Sequence, residues 1–114
     1  MIYIKIFDRM NNYFLFTNAI YALDDFNFSY EEKRFWTEYF SSLRMLFNVG
    51  KVYDDEQIDE IGDRIQKELI KKYNYDEKYV VLTYCDIIES CFNDEEKGLN
   101  AAFLKELRDQ FKDK

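Results

Sequence analysis

The sequence contains no proline and only three glycines, Gly50, Gly62 and Gly98. Average usage would place roughly six prolines and eight glycines in a chain of this length. Folds rich in sheet turn every few residues and draw on both residue types to do so. Their shortage therefore predicts few turns and long uninterrupted elements, which means helices.

Local signals place those helices. Ser29 and Glu32 form a capping-box pair, in which each side chain satisfies a backbone N–H of the first turn. Phe35, Trp36, Tyr39, Phe40, Leu43, Leu46 and Phe47 then trace one wide apolar face, with Gly50 ending the helix. Asp54 with Gln57 starts a third helix, and Tyr53 with Ile58 supplies a hydrophobic staple. The stripe behind it, Ile58, Ile61, Ile65 and Leu69, is narrow, which predicts a peripheral helix. Asn74 with Glu77 marks a fourth, with Val80, Val81, Tyr84, Ile87, Ile88 and Cys91 facing inward. Asn93 with Glu96 marks a fifth, leading to Leu99, Ala102, Phe103, Leu107 and Phe111; Gly98 inside it allows a later start at Asn100.

The N-terminal stretch 2–23 repeats at helical spacing through Tyr3, Ile6, Phe7, Met10, Tyr13, Phe14, Ile20 and Tyr21, with Thr17 on the same face. The alternation of Ile2, Ile4 and Ile6 also permits a short strand over residues 1–7. Asp24 to Phe28 reads as a loop. The expected fold is all-α, a single-domain bundle of four to five antiparallel helices over residues 1–114.

No histidine occurs anywhere in the chain. That removes the commonest general acid/base and metal-ligand side chain. Serine and cysteine triads, HExxH zinc sites and the Glu-x-x-His pairs of di-iron bundles are excluded as written. Cys85 and Cys91 lie six apart on one expected helix, on different faces, so they read as reduced structural residues. Asp86 and Glu89 flank them, and negative charge suppresses thiol reactivity. There is no Gly-rich phosphate loop. The expectation is a protein that is not an enzyme and holds no cofactor and no metal.

The net charge is −7 and unevenly spread. Residues 1–50 carry five bases against six acids, whereas 51–114 carry eleven against seventeen. Such a chain repels nucleic acid backbones and anionic lipid heads, so neither is an expected partner. Lys5, Asp8, Arg9, Asn11 and Asn12 interrupt the apolar N-terminus, which argues against a secretory signal or a membrane span and for the cytoplasm.

The sharpest local feature is Asp54-Asp55-Glu56 followed by Asp59, Glu60 and Asp63. Six acids fall within ten residues without an intervening base. On a helix Glu56, Glu60 and Asp63 share a face, with Asp55 and Asp59 beside it. Such acids complement the helix dipole, and they also form a patch able to dock on Arg and Lys. The spacing does not fit a calcium loop, because Asp59 stands where glycine is required and Ile65 where glutamate is. Tyr73, Tyr75 and Tyr79 form a second cluster. Tyrosine rings either lid a bundle or anchor a partner, and Phe26 and Phe28 carry the same ambiguity.

Size, acidity and tyrosine content resemble in kind the small inhibitors that neutralise a basic nuclease toxin or another nucleic-acid-binding enzyme: immunity proteins, antitoxins and anti-defence proteins. No motif is shared with them, and the Tyr-Tyr-Pro segment of helical immunity proteins has no counterpart in a chain without proline. The expected partner-binding residues are Asp54, Asp55, Glu56, Asp59, Glu60, Asp63, Tyr73, Tyr75 and Tyr79. The alternative is a helical scaffold that forms a homo-oligomer or binds a partner helix, because 22 aromatics can exceed what one core absorbs.

Overall fold

The computed structural model describes residues 9–47 and 53–112, without the side chains of residues 9–11, 55, 96, 97, 99 and 100. Within them run five α-helices: α1 (Arg9–Ala22), α2 (Tyr30–Met45), α3 (Asp55–Tyr73), α4 (Glu77–Ser90) and α5 (Asp94–Lys112). The described residues contain no strand, and the fold is all-α. The alternation at Ile2, Ile4 and Ile6, the expected contributions of Tyr3, Phe7 and the Met10 side chain, and Gly50 lie outside the described residues.

The capping box at α2 forms as its sequence dictates. The Glu32 N–H donates to Ser29 Oγ at 3.2 Å, and the Ser29 N–H donates to Glu32 Oε1 at 3.1 Å. The helix then buries Phe35, Trp36, Tyr39, Phe40 and Leu43 completely. It ends earlier than glycine placement suggests. The Leu46 and Phe47 N–H groups donate to carbonyls three residues back, at Leu43 and Arg44, so the last turn tightens and the helix stops at Met45.

The two ends of α1 fix its direction against α2. Arg44 lies over the Tyr13 ring at 5.8 Å, while Lys33 pairs with Asp24 at 3.0 Å, just past the far end of α1. The two helices are antiparallel. Between them Leu23–Asp25 forms one turn of 3-10 helix where a loop was expected. The inward face of α1 also differs from expectation. Leu15, Phe16 and Ala19 are buried together with Asn12, whereas Phe14 and Tyr21 are 54% and 74% exposed. No charged residue occurs between Arg9 and Asp24, so apolar periodicity alone does not orient this helix. Packing does, by seating Phe16 on Phe40 and Phe47 at 6.1 and 5.8 Å.

The second capping box also forms, with Gln57 N–H to Asp54 Oδ1 at 2.8 Å and Asp54 N–H to Gln57 Oε1 at 3.0 Å. From there α3 packs on α2 through Ile58 and Leu69, with Gly62 and Gln66 buried between them and Ile61 and Ile65 half-buried. The third box does not form. Asn74 adopts the left-handed conformation (φ 58°, ψ 46°) and closes α3, its N–H bonded to the Ile70 carbonyl. Asparagine tolerates that region better than other residues with a Cβ, so it serves as a C-cap. Asp76 caps α4 in its place, accepting the Tyr79 N–H at 3.2 Å.

Helix α4 buries Val80, Val81, Tyr84, Cys85, Ile87 and Ile88, and leaves Cys91 half-buried. It packs against α1 and α5, and Tyr84 reaches Tyr39 and Phe40 of α2 at 5.9 Å each. Helix α5 packs chiefly on α4 through Leu104, Leu107 and Phe111; Ala102 is exposed instead of inward. It starts at Asp94, not Asn100, and carries Gly98 in its first turns at an exposed position where the glycine costs only its propensity.

Phe40 sits within ring-contact distance of Phe16, Trp36, Tyr39 and Tyr84, which join α1, α2 and α4. Phe40→Ala is expected to destabilise the fold by about 3–5 kcal/mol. Thermal and denaturant unfolding followed by far-UV circular dichroism measure this. An unchanged midpoint would remove Phe40 from its central place.

Candidate functional site

The acidic start of α3 is built by the capping box and by the way α3 lies on α2. Asp54 is consumed in part by the cap, its carboxylate holding the Gln57 N–H. Glu56 and Glu60 are exposed, and Asp59 and Asp63 are half-buried; the Asp55 side chain lies outside the described residues. Asp63 reaches furthest inward, and its charge is felt by the buried Tyr39 hydroxyl. Burial first, and Asp63 second, push that phenol well above its ordinary range.

Elsewhere the chain pairs its carboxylates across helices. Lys72 bonds Glu38 at 3.0 Å, and Arg108 bonds both Asp86 and Glu89, at 2.9 and 2.8 Å. Glu56, Glu60 and Asp63 have no ion pair among the described residues. No group of three or more Asp, Glu and Cys side chains among the described residues is placed to hold a metal ion.

The tyrosine cluster is real but lies elsewhere. Tyr73 ends α3, about 28 Å along the helix from its acidic start at 1.5 Å per residue. The Phe35 ring meets Tyr73 at 5.3 Å and Tyr75 at 4.8 Å, Tyr73 meets Tyr75 at 5.9 Å, and Tyr75 meets Tyr79 at 6.1 Å. Those separations are ring-on-ring contact, while Tyr79 remains 37% exposed. Two hydroxyls are engaged as well: Tyr73 donates to Glu38 at 2.9 Å, and Tyr79 donates to Glu32. The structure brings the three tyrosines to one another and to α2, and keeps them apart from the acids. Phe26 and Phe28 likewise stack on each other at 5.3 Å.

A groove of about 620 Å³ runs between α4 and α5. Its floor includes Leu82, Ala101 and Leu104, and Arg108 spans it toward Asp86 and Glu89. Sequence reasoning gave Asp86 and Glu89 only as neighbours of the cysteines. The signal for this bridge was their i,i+3 spacing, which puts both on one face.

No known protein family, curated protein or solved structure matches this chain. No helix of the described residues is long and apolar enough to cross a membrane.

Two measurements check these local environments. Hydrogen bonds from Tyr79 and the Ser29 backbone hold the Glu32 carboxyl below its ordinary value of 4.5, and Lys72 and Tyr73 do the same for Glu38. A carboxyl lowered in the folded state contributes stability that is present above about pH 4.5 and lost as pH falls through the folded value. The Tyr73→Phe, Tyr79→Phe double variant is therefore expected to be less stable near neutrality. Its denaturant midpoint should fall less on acidification, so that the two curves converge as pH falls below the lowered carboxyl values. Parallel curves would disprove the linkage.

The second measurement concerns the thiols. Burial pushes the Cys85 thiol up to about 11, and Asp86 and Glu89 add to that against the opposing pull of Arg108. Cys91 is half-buried at the end of α4, its thiol donating to the Ile87 carbonyl at 3.3 Å. Titration of the folded protein with an aromatic disulfide at mildly alkaline pH should modify Cys91 first, with Cys85 reacting only on unfolding. Equal rates for the two would mean that α4 is not sealed.

Proposed function

We propose that this chain works by binding: the open carboxylates at the start of α3 dock it on the basic surface of a protein partner, as an inhibitor of a nuclease toxin or other nucleic-acid-binding enzyme does. The observation that carries this reading is the contrast between the two sets of acids. Glu38, Asp86 and Glu89 are paired across helices, whereas Glu56, Glu60 and Asp63 meet no cation among the described residues. A cationic surface that has evolved to hold phosphates is complementary to such a face. The net charge of −7 adds long-range attraction to the same class of partner. In this reading the tyrosines belong to the fold, since their rings and two of their hydroxyls are engaged within the chain.

Replacing exposed Glu56 and Glu60 by Gln and half-buried Asp63 by the near-isosteric Asn is expected to leave folding intact. Association with a basic protein partner should slow about tenfold or more at low ionic strength. The difference should shrink as salt rises and the Debye length shortens to roughly 8 Å. Stopped-flow association across a salt series makes the measurement. Wild-type association rates at low salt would move the interface away from α3.

A further inference from the structure

We infer that the groove between α4 and α5 is a self-complementary interface through which two copies of this chain pair about a two-fold axis. Charge is segregated across the groove. The α4 rim carries Asp86 and Glu89, and the α5 rim carries Lys105, Arg108 and Lys112 with one acid, Asp109, among them. Between the rims lies an apolar floor of half-buried Leu82, exposed Ala101 and buried Leu104. A two-fold interface sets the same patch against itself, and with the axis running along the groove each α5 rim comes to face the other copy's α4 rim. Base then meets acid on both sides of the axis, and floor meets floor.

The hydrogen bonding within one copy leaves that pairing unfinished. Arg108 takes Oδ1 of Asp86 and Oε2 of Glu89. Asp86 Oδ2 and Glu89 Oε1 remain open to further donors among the described residues, on side chains 62% and 45% exposed. Lys105 and Lys112 stand one turn before and one turn after Arg108, exposed and without an ion pair among the described residues. Two spare carboxylate oxygens on one rim and two spare ammonium groups on the other are what a second copy supplies with partners. Counting Asp109, the groove holds three acids and three bases, a neutral patch on a chain of net charge −7. It is a place where two acidic copies approach without the repulsion met elsewhere.

Sedimentation velocity of the full chain over a wide concentration range tests the pairing. The expected result is a monomer of 14.0 kDa passing to twice that mass, with a Kd on the order of 10 µM for an interface at the small end of the stable range. Lys105→Glu with Lys112→Glu sets acid against acid and should weaken the dimer tenfold or more. Ala101→Arg should do the same by placing bulk and charge on the floor. Both changes fall on exposed positions, and unchanged helicity and melting temperature confirm that the fold survives. Glu56→Gln with Glu60→Gln should leave the dimer as it is, which separates this interface from the acidic face of α3. A wild-type chain that stays monomeric at every concentration overturns the inference, including one that binds an added amphiphile in the groove. A dimer indifferent to both groove variants also overturns it, and would place self-association on another surface such as the Phe14 and Tyr21 face of α1.

Discussion

The stack of rings around Phe40 is the interaction on which the rest of the structure depends. Trp36, Tyr39 and Phe40 come from consecutive turns of α2, and Phe16 and Tyr84 are brought onto them by α1 and α4. At the N-terminal end of the same helix, Phe35 gathers Tyr73 and Tyr75 and so fixes the end of α3 and the link to α4. One amphipathic helix therefore positions three others. Large flat rings suit that role because each presents contact area in several directions at little entropic cost.

Around this centre the polar groups divide by what surrounds them. Where a carboxylate faces another helix it is matched, as Glu32 and Glu38 are by tyrosine hydroxyls and Lys72, and as Asp86 and Glu89 are by Arg108. Where α3 turns outward, Glu56 and Glu60 are exposed and have no ion pair among the described residues. The outward acids oppose the positive end of the α3 dipole and help the helix to start. That local service does not consume their charge, so the residues that help the helix to start still carry their full negative charge.

Much of this was legible in the residues, and the failures share a cause. Although α2 ends at Met45, earlier than Gly50 suggests, its start and buried face follow from its residues, because the apolar face is sharply bounded by charge and Ser29 and Glu32 mark the start. The start of α3 was read correctly for the same reason. Helix α1 was rotated, since a segment without charges carries no contrast between its faces. Asn74 was misassigned because asparagine suits both ends of a helix, and only the backbone angle distinguishes them. The Arg108 bridge and the tyrosine contacts with Glu32 and Glu38 join residues 19 to 47 positions apart. Pairings of that range follow from how helices cross, which no local pattern encodes. The acidic cluster, by contrast, was visible as a run of letters.

The lack of charge along α1 beyond Arg9 has a consequence for the chain as it is made. Its inner face is covered by α2 and α4, so the helix is synthesised long before its second neighbour exists. Roughly seventy residues separate the end of α1 from the end of α4, about 3 to 14 seconds of translation at 5–20 residues per second. Through that interval Leu15, Phe16 and Ala19 have at most α2 to rest on, and Phe14 and Tyr21 stay in water even after folding is complete. A nascent chain in this state offers a holdase chaperone a helix whose one charge is Arg9 at its start. The ribosome-bound form is thus the most adhesive the protein ever becomes, and the arrival of α4 ends that phase.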